Sequence, residues 1–248
     1  MKMPRGMTRR WLVLGVFAVG FVVLIANSAW WEAALRLLFP DERLVLHPSN
    51  SLLALVGEHM VLVGLSSALA VVIGVPLGMW VTRPSGRSFL PIVSDLTSFG
   101  QAFPPIAVLV LAVPVMGFGL EPTVLALFLY GLLPVVRNTI VGLQTVPGDL
   151  VDAAYGMGMG RVATLWRVEA PLALPVILAG IRISVIINIG TAMIGAVIGA
   201  GGLGSPVIAG MTQYNTAYVL EGAVPAAMLA VLVDQLLANV ERSFAYPA

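Results

Sequence analysis

Residues 11–29 carry no charged side chain, and five later stretches, 58–81, 92–118, 123–141, 172–198 and 217–238, carry very few. A helix needs about 20 apolar residues to cross the hydrocarbon core of a bilayer. Inside that core every backbone N–H and C=O must be satisfied within the protein, which leaves helices or closed barrels. A barrel would show short alternating segments, and none are visible. The expected fold is therefore an all-α integral membrane protein with about six transmembrane helices. Composition agrees: 10% of residues are charged and 59% hydrophobic, with a mean hydropathy of +0.98, whereas a soluble domain is about 25% charged.

The chain divides into a first membrane helix with an external loop (1–56), a membrane core (57–240) and a short tail (241–248). A cationic start followed by an apolar run also describes a cleaved signal peptide. The run is long for that role, and Trp30-Trp31 reads as an interfacial belt, so an uncleaved first helix is expected. Residues 32–56 read as the external loop with a short surface helix. The third span holds Pro104-Pro105 and Pro114 and is expected to be kinked or partly unwound.

Six spans place both termini on one side. That side holds Lys2, Arg5, Arg9, Arg10, Arg83, Arg87, Arg137, Arg161, Arg167, Arg182 and Arg242, and the other keeps only Arg36 and Arg43. The positive-inside rule makes the first side cytoplasmic. Cysteine is absent and the net charge is +1. Disulfides and thiolate chemistry are therefore excluded, and no strongly basic surface points to nucleic acid. Two histidines, His47 and His59, are too few and too differently placed for a metal-dependent membrane enzyme.

Between the fourth and fifth spans lies a polar island, residues 144–171. Pro147-Gly148 stops the fourth span. Asp149 reads as an N-cap with Asp152 three residues on, and both carboxylates favour a helix N-terminus. Ala153 and Ala154 allow another surface close to the backbone. Gly156, Gly158 and Gly160 loosen or end the helix, and a second amphipathic segment leads to Pro171. The physics allows a solvated loop or a docking element.

The motif spacing decides between them by resemblance. Asp152-Ala153-Ala154, then Gly158, then Val168-Glu169-Ala170-Pro171 resembles the cytoplasmic signature of permease subunits in bacterial ATP-binding-cassette importers, Glu-Ala-Ala, three residues, Gly, nine residues, Ile-x-Leu-Pro. Asp, Val and Ala replace Glu, Ile and Leu. Further segments resemble the branch that imports glycine betaine and related osmoprotectants, in particular the Yeh-type importers, over about residues 55–230. They include Gly100-Gln101-Ala102-Phe103-Pro104-Pro105, Leu129-Tyr130-Gly131-Leu132-Leu133-Pro134 and Ile186-Ile187-Asn188-Ile189-Gly190-Thr191-Ala192.

The resemblance implies a methionine-importer-like permease fold in the bacterial inner membrane. It makes residues 152–160 (Asp152, Ala153, Ala154, Tyr155, Gly156, Met157, Gly158, Met159, Gly160) and Pro171 the coupling element that docks on an ATPase. The implied partners are two ATPase subunits, a second permease copy or paralogue, an extracytoplasmic solute-binding protein and the lipid bilayer. There is no Gly-x-x-x-x-Gly-Lys-Ser/Thr phosphate loop, so ATP and Mg belong to the partner. This chain is expected to be non-catalytic, with no cofactor or metal of its own. Gly199-Ala200-Gly201-Gly202-Leu203-Gly204 matches a dinucleotide fingerprint in form only, because that fingerprint needs a βαβ setting. A tight turn and close helix approach are expected there.

Gln101, Phe103, Tyr130, Asn188, Thr191 and Tyr214 are the candidates for lining a translocation path, with aromatic faces suited to a quaternary ammonium. Glu58, His59 and Glu221 read as water-facing residues at span ends. Asp95 and Asp234 read as partners of arginines such as Arg87 or Arg242. The alternatives are the same fold with an amino-acid cargo, a passive channel, or a membrane enzyme.

Overall fold

The computed structural model describes residues 5–48 and 50–244; Lys2 of the cationic start and residues 245–248 of the tail lie outside them. Among the described residues every regular element is helical. Helix α1 (Arg5–Ala26) is followed by α2 (Ser28–Leu38), whose first turn is held by Asn27 Oδ1 accepting the Trp30 N–H at 3.3 Å. The surface helix of the external segment thus exists but begins earlier than expected. It also separates the two tryptophans: Trp30 is exposed and Trp31 is packed into the core.

Helix α3 (Leu52–Val81) starts at Ser51, whose Oγ accepts the Ala54 N–H at 3.3 Å. The expected third span is two helices, α4 (Leu90–Ala102) and α5 (Pro105–Met116). A residue before proline is pushed out of the α region. Phe103 and Pro104 both precede prolines, and both are extended, with ψ of 135° and 137°. The chain continues through α6 (Leu120–Gln144), α7 (Gly148–Gly156), α8 (Arg161–Thr164), α9 (Ala170–Gly195), α10 (Gly204–Gln213) and α11 (Thr216–Phe244). A π-helical turn, Leu165–Glu169, joins α8 to α9 without a break. Among the described residues five helical segments are long and apolar enough to cross a membrane: residues 9–26, 52–81, 120–144, 161–198 and 216–244. The broken α4–α5 pair supplies the remaining apolar stretch.

The core is the packing of α3, α6 and α9. Water gives no drive between helices in lipid, so close approach through small residues matters. A Cβ on Gly131 of α6 would sit 2.5 Å from Ser184 Oγ of α9, and one on Gly78 of α3 would sit 2.7 Å from Thr139 Cβ of α6. Pro134 lacks an N–H, which frees the Tyr130 carbonyl four residues back. Gln101 Nε2 of α4 donates to that carbonyl at 2.7 Å, and this bond seats the broken helix on α6.

Where α3 begins and α10 meets α11, the segment before α3 is strapped down. Asn215 Nδ2 donates to Leu44 O at 2.8 Å, and the His47 N–H donates to Glu221 Oε2 at 2.7 Å. Glu58 Oε2 accepts the Gly202 N–H at 2.8 Å. The water-facing reading of His59 and Glu221 is therefore corrected. His59 is 0% exposed with Nε2 placed 3.0 Å from Ile189 O, and Glu221 is 2% exposed. Each carries a polar bond that a water-facing position would not need. The glycine-rich connection also holds a ten-residue helix, α10.

Candidate functional site

The polar island folds as a short helix, a corner and a helical extension of the fifth span. Helix α7 begins at Gly148 with Pro147 in the cap position and no side-chain cap, so Asp149 lies in the first turn and Asp152 in the middle. The expected Asp149 cap is thus displaced, because the Pro147 φ of −58° lets the helix start two residues sooner. Of the two carboxylates only Asp149 stays in the first turn, where the positive end of the helix favours it.

The corner explains the glycine of the motif. The Gly158 N–H donates to Tyr155 O at 2.9 Å and the Met159 N–H to Ala154 O at 3.0 Å. These are the two bonds of a Schellman closure, which requires a left-handed residue between them. Gly158 supplies it with φ +82°. Gly156 is the last helical residue, and Gly160 opens α8 by accepting the Thr164 N–H at 2.9 Å.

On this frame Ala154 is buried, while Asp152, Ala153, Tyr155, Gly156, Met157, Gly158 and Gly160 are exposed and Met159 is half-buried. Leu150, Met157, Val162 and Trp166 add an exposed apolar surface, with Met157 71% and Val162 72% exposed. Pro171 lies in the first turn of α9, one residue after its start.

Two arginines tie the neighbouring spans together through three ion pairs. Arg83, just beyond α3, grips Glu169 of the π turn through Nη1–Oε1 at 3.0 Å and Nη2–Oε2 at 2.5 Å. Glu169 is 7% exposed at the side chain. A cleft of about 320 Å³ beside the pair is lined by Arg83, Arg87, Val151 and Tyr155. Farther along α9, Arg182 binds Asp234 of α11 at 2.7 and 2.9 Å and Glu241 at 3.3 Å. Arg182, not Arg242, is therefore the partner of Asp234. An ionisable group inside a span needs a partner, and Arg182 is the lone cation of the fifth span, a signal the sequence did carry.

The six path candidates fall in three places. Gln101 and Tyr130 meet through the bond to the Tyr130 carbonyl. Phe103 packs edge-on to Phe99, 5.0 Å between ring centres, and both line an apolar cleft of about 550 Å³ with Leu77, Leu129 and Leu132. Asn188 of α9 is 0% exposed and donates to Ser66 Oγ at 3.2 Å and Ser67 Oγ at 3.0 Å on α3. Thr191 is half-buried three residues on. Tyr214 ends α10 in the left-handed region, φ 58°, and is 93% exposed. Ser184 Oγ and Asn188 Oδ1 are buried without a partner in the same α3–α6–α9 interface, and His59 Nδ1 is buried without one beside Gly202. Among the described residues no three His, Asp or Glu side chains converge as metal ligands would.

Comparison with known proteins places this geometry. Residues 74–246 match the family model for the binding-protein-dependent transport system inner membrane component. The chain is 41% identical over 187 residues to the osmoprotectant import permease protein OsmY of Salmonella typhimurium, covering 75% of this chain and 79% of that one. It is 38% identical over 193 residues to the glycine betaine/carnitine/choline transport system permease protein OpuCB of Bacillus subtilis, covering 78% and 88%. Its fold is similar to that of the inward-facing MetNI methionine ABC transporter, with TM-score 0.70 and 25% identity over 79% of this chain and 96% of that one.

Proposed function

This chain belongs to the family of binding-protein-dependent transport system inner membrane components, and on that premise we propose that it carries a quaternary-ammonium osmoprotectant such as glycine betaine, driven by a separate ATPase. The cargo reading is supported by the relatives that import osmoprotectants, glycine betaine, carnitine and choline. A cation of that kind suits aromatic faces, and Phe99 and Phe103 offer them on the cleft beside α4.

The single observation that carries the drive is α7 with its Schellman corner. It is a short helix outside the spans whose exposed face mixes Asp152 with Leu150, Ala153, Tyr155 and Met157. Apolar groups on such a face have a docking partner to cover them, and a cytoplasmic ATPase subunit is the partner for an element on the arginine-rich side. The corner passes directly into α8 and, through the π turn, into α9. A push on α7 therefore moves α9, and with it α3 through Arg83–Glu169 and α11 through Arg182–Asp234.

Alternating access is then a choice between packings of α3, α6 and α9. An unpaired buried polar atom costs about 1–3 kcal/mol, and Ser184 Oγ and Asn188 Oδ1 are two such atoms in this interface. A state that gives Asn188 and Ser184 new partners would recover that cost. The ATPase biases the two states by binding them unequally. The extracytoplasmic binding protein delivers the solute, and a second permease copy or paralogue completes the path that Gln101, Phe103, Tyr130, Asn188, Thr191 and Tyr214 help to line.

The test is Asp152→Lys with Ala153→Arg in the full complex. Insertion into the membrane stays normal while ATPase co-purification and uptake are lost. Full association and uptake in that variant would remove the coupling role.

A further inference from the structure

Helix α1 precedes the residues that match the family model, yet it packs along the end of α11 and leaves a cleft of about 760 Å³ between them. The cleft is graded along its length. Arg9 and Arg10 stand at its mouth from α1, and Arg242 stands there from α11. One to two turns deeper on α11 lie two amides, Asn239 and Gln235. Deeper still the walls are apolar, Val13 and Phe17 on α1 and Val231 on α11.

The spacing on each helix is that of one face. Arg9, Val13 and Phe17 recur every fourth residue, and Val231, Gln235, Asn239 and Arg242 follow the same face of α11. At 1.5 Å per residue, the run from Arg242 to Val231 covers roughly 16 Å. That is the depth of a lipid headgroup, its glycerol esters and the upper acyl chain.

Charge decides the kind of lipid. Among the described residues none of the three arginines has an acidic partner, and no carboxylate lines the cleft. The nearby Glu241 is engaged by Arg182. Three cations, two amides and an apolar floor complement an anionic phosphate diester, its ester carbonyls and a hydrocarbon chain, in that order. Basic pockets between transmembrane helices bind such headgroups.

We propose that the cleft between α1 and α11 binds one anionic phospholipid from the leaflet on the arginine-rich side, with its phosphate on Arg9, Arg10 and Arg242. The lipid fastens the N-terminal helix to the permease core at the membrane surface. The site depends on the chain lying in a bilayer and not on its cargo.

Native mass spectrometry of the full-length chain in neutral detergent tests this. The chain is titrated with phosphatidylglycerol, with phosphatidylcholine of the same acyl chains, and with inorganic phosphate. Phosphatidylglycerol is retained at one per chain, and phosphate does not displace it. Arg9→Gln with Arg10→Gln and Arg242→Gln weakens retention by about a hundredfold, and Arg10→Gln alone, a single exposed change that spares folding, by about fivefold. Changing the exposed Arg137, Arg161 and Arg167 to Gln leaves retention as it was. Equal retention of phosphatidylcholine, displacement by free phosphate, or the same loss in both triple variants would each overturn the proposal.

Discussion

Arg83 and Glu169, 86 residues apart, are joined by two parallel bonds of 3.0 and 2.5 Å, and this pair ties the end of one span to the start of another beside α7. Removing one member leaves the other charged and poorly solvated, so Glu169→Gln costs about 2 kcal/mol. A double-mutant cycle with Arg83→Gln, read by thermal unfolding in detergent, gives a coupling of about 1–3 kcal/mol. Additive single effects would mean that the pair does not hold the spans together.

The Schellman closure at Gly158 predicts an order among substitutions. A Cβ at positive φ costs about 1–2 kcal/mol, asparagine tolerates that region, and β-branched residues do not. ATPase co-purification therefore falls in the order Gly158→Asn, Gly158→Ala, Gly158→Val. Nothing within 4 Å would obstruct the added Cβ, so an order set by side-chain size alone would argue against a backbone cause.

The Gln101 bond predicts a rescue. Gln101→Leu strands the Tyr130 carbonyl in apolar surroundings and costs about 1–3 kcal/mol. Adding Pro134→Ala restores the missing N–H and recovers much of that loss, measured as the melting temperature of the purified chain. No recovery in the double variant would show that Gln101 acts elsewhere.

Burial pushes the His47 imidazole below its ordinary value of 6.5. Its backbone N–H binds Glu221, and its ring meets Tyr218 edge-on at 5.4 Å. The folded strap prefers the neutral ring, so below 6.5 the released segment binds more protons than the folded one. The strap's stability is complete above 6.5 and falls as pH drops toward the lowered folded value. Limited proteolysis of residues 39–51 should be faster at about pH 5.5 than at about pH 7.5, and His47→Gln should flatten the difference. A pH response unchanged by His47→Gln would assign it to another group.

The spans were legible because each is a long apolar run, and the break at Phe103-Pro104 was legible because consecutive prolines leave little choice of backbone. Helix α10 was not, since the glycines before it read as turn and only its tertiary packing rewards the helix. Ion pairs such as Arg83–Glu169 were hidden because sequence gives charges but not their neighbours. Asn188 was legible as a polar residue in a span; its grip on Ser66 and Ser67 depends on how α9 meets α3. The island's glycine was visible as motif, but its reason, a left-handed closure, needed the backbone.

Uptake into proteoliposomes reads the cargo and its ATP drive in one measurement. The chain is reconstituted with its ATPase and binding protein, and labelled glycine betaine, choline and methionine are offered with and without ATP. The expected result is ATP-dependent accumulation of a quaternary-ammonium solute that disappears in the Asp152→Lys, Ala153→Arg variant. Accumulation without ATP, or of methionine in preference to both quaternary-ammonium solutes, would contradict it.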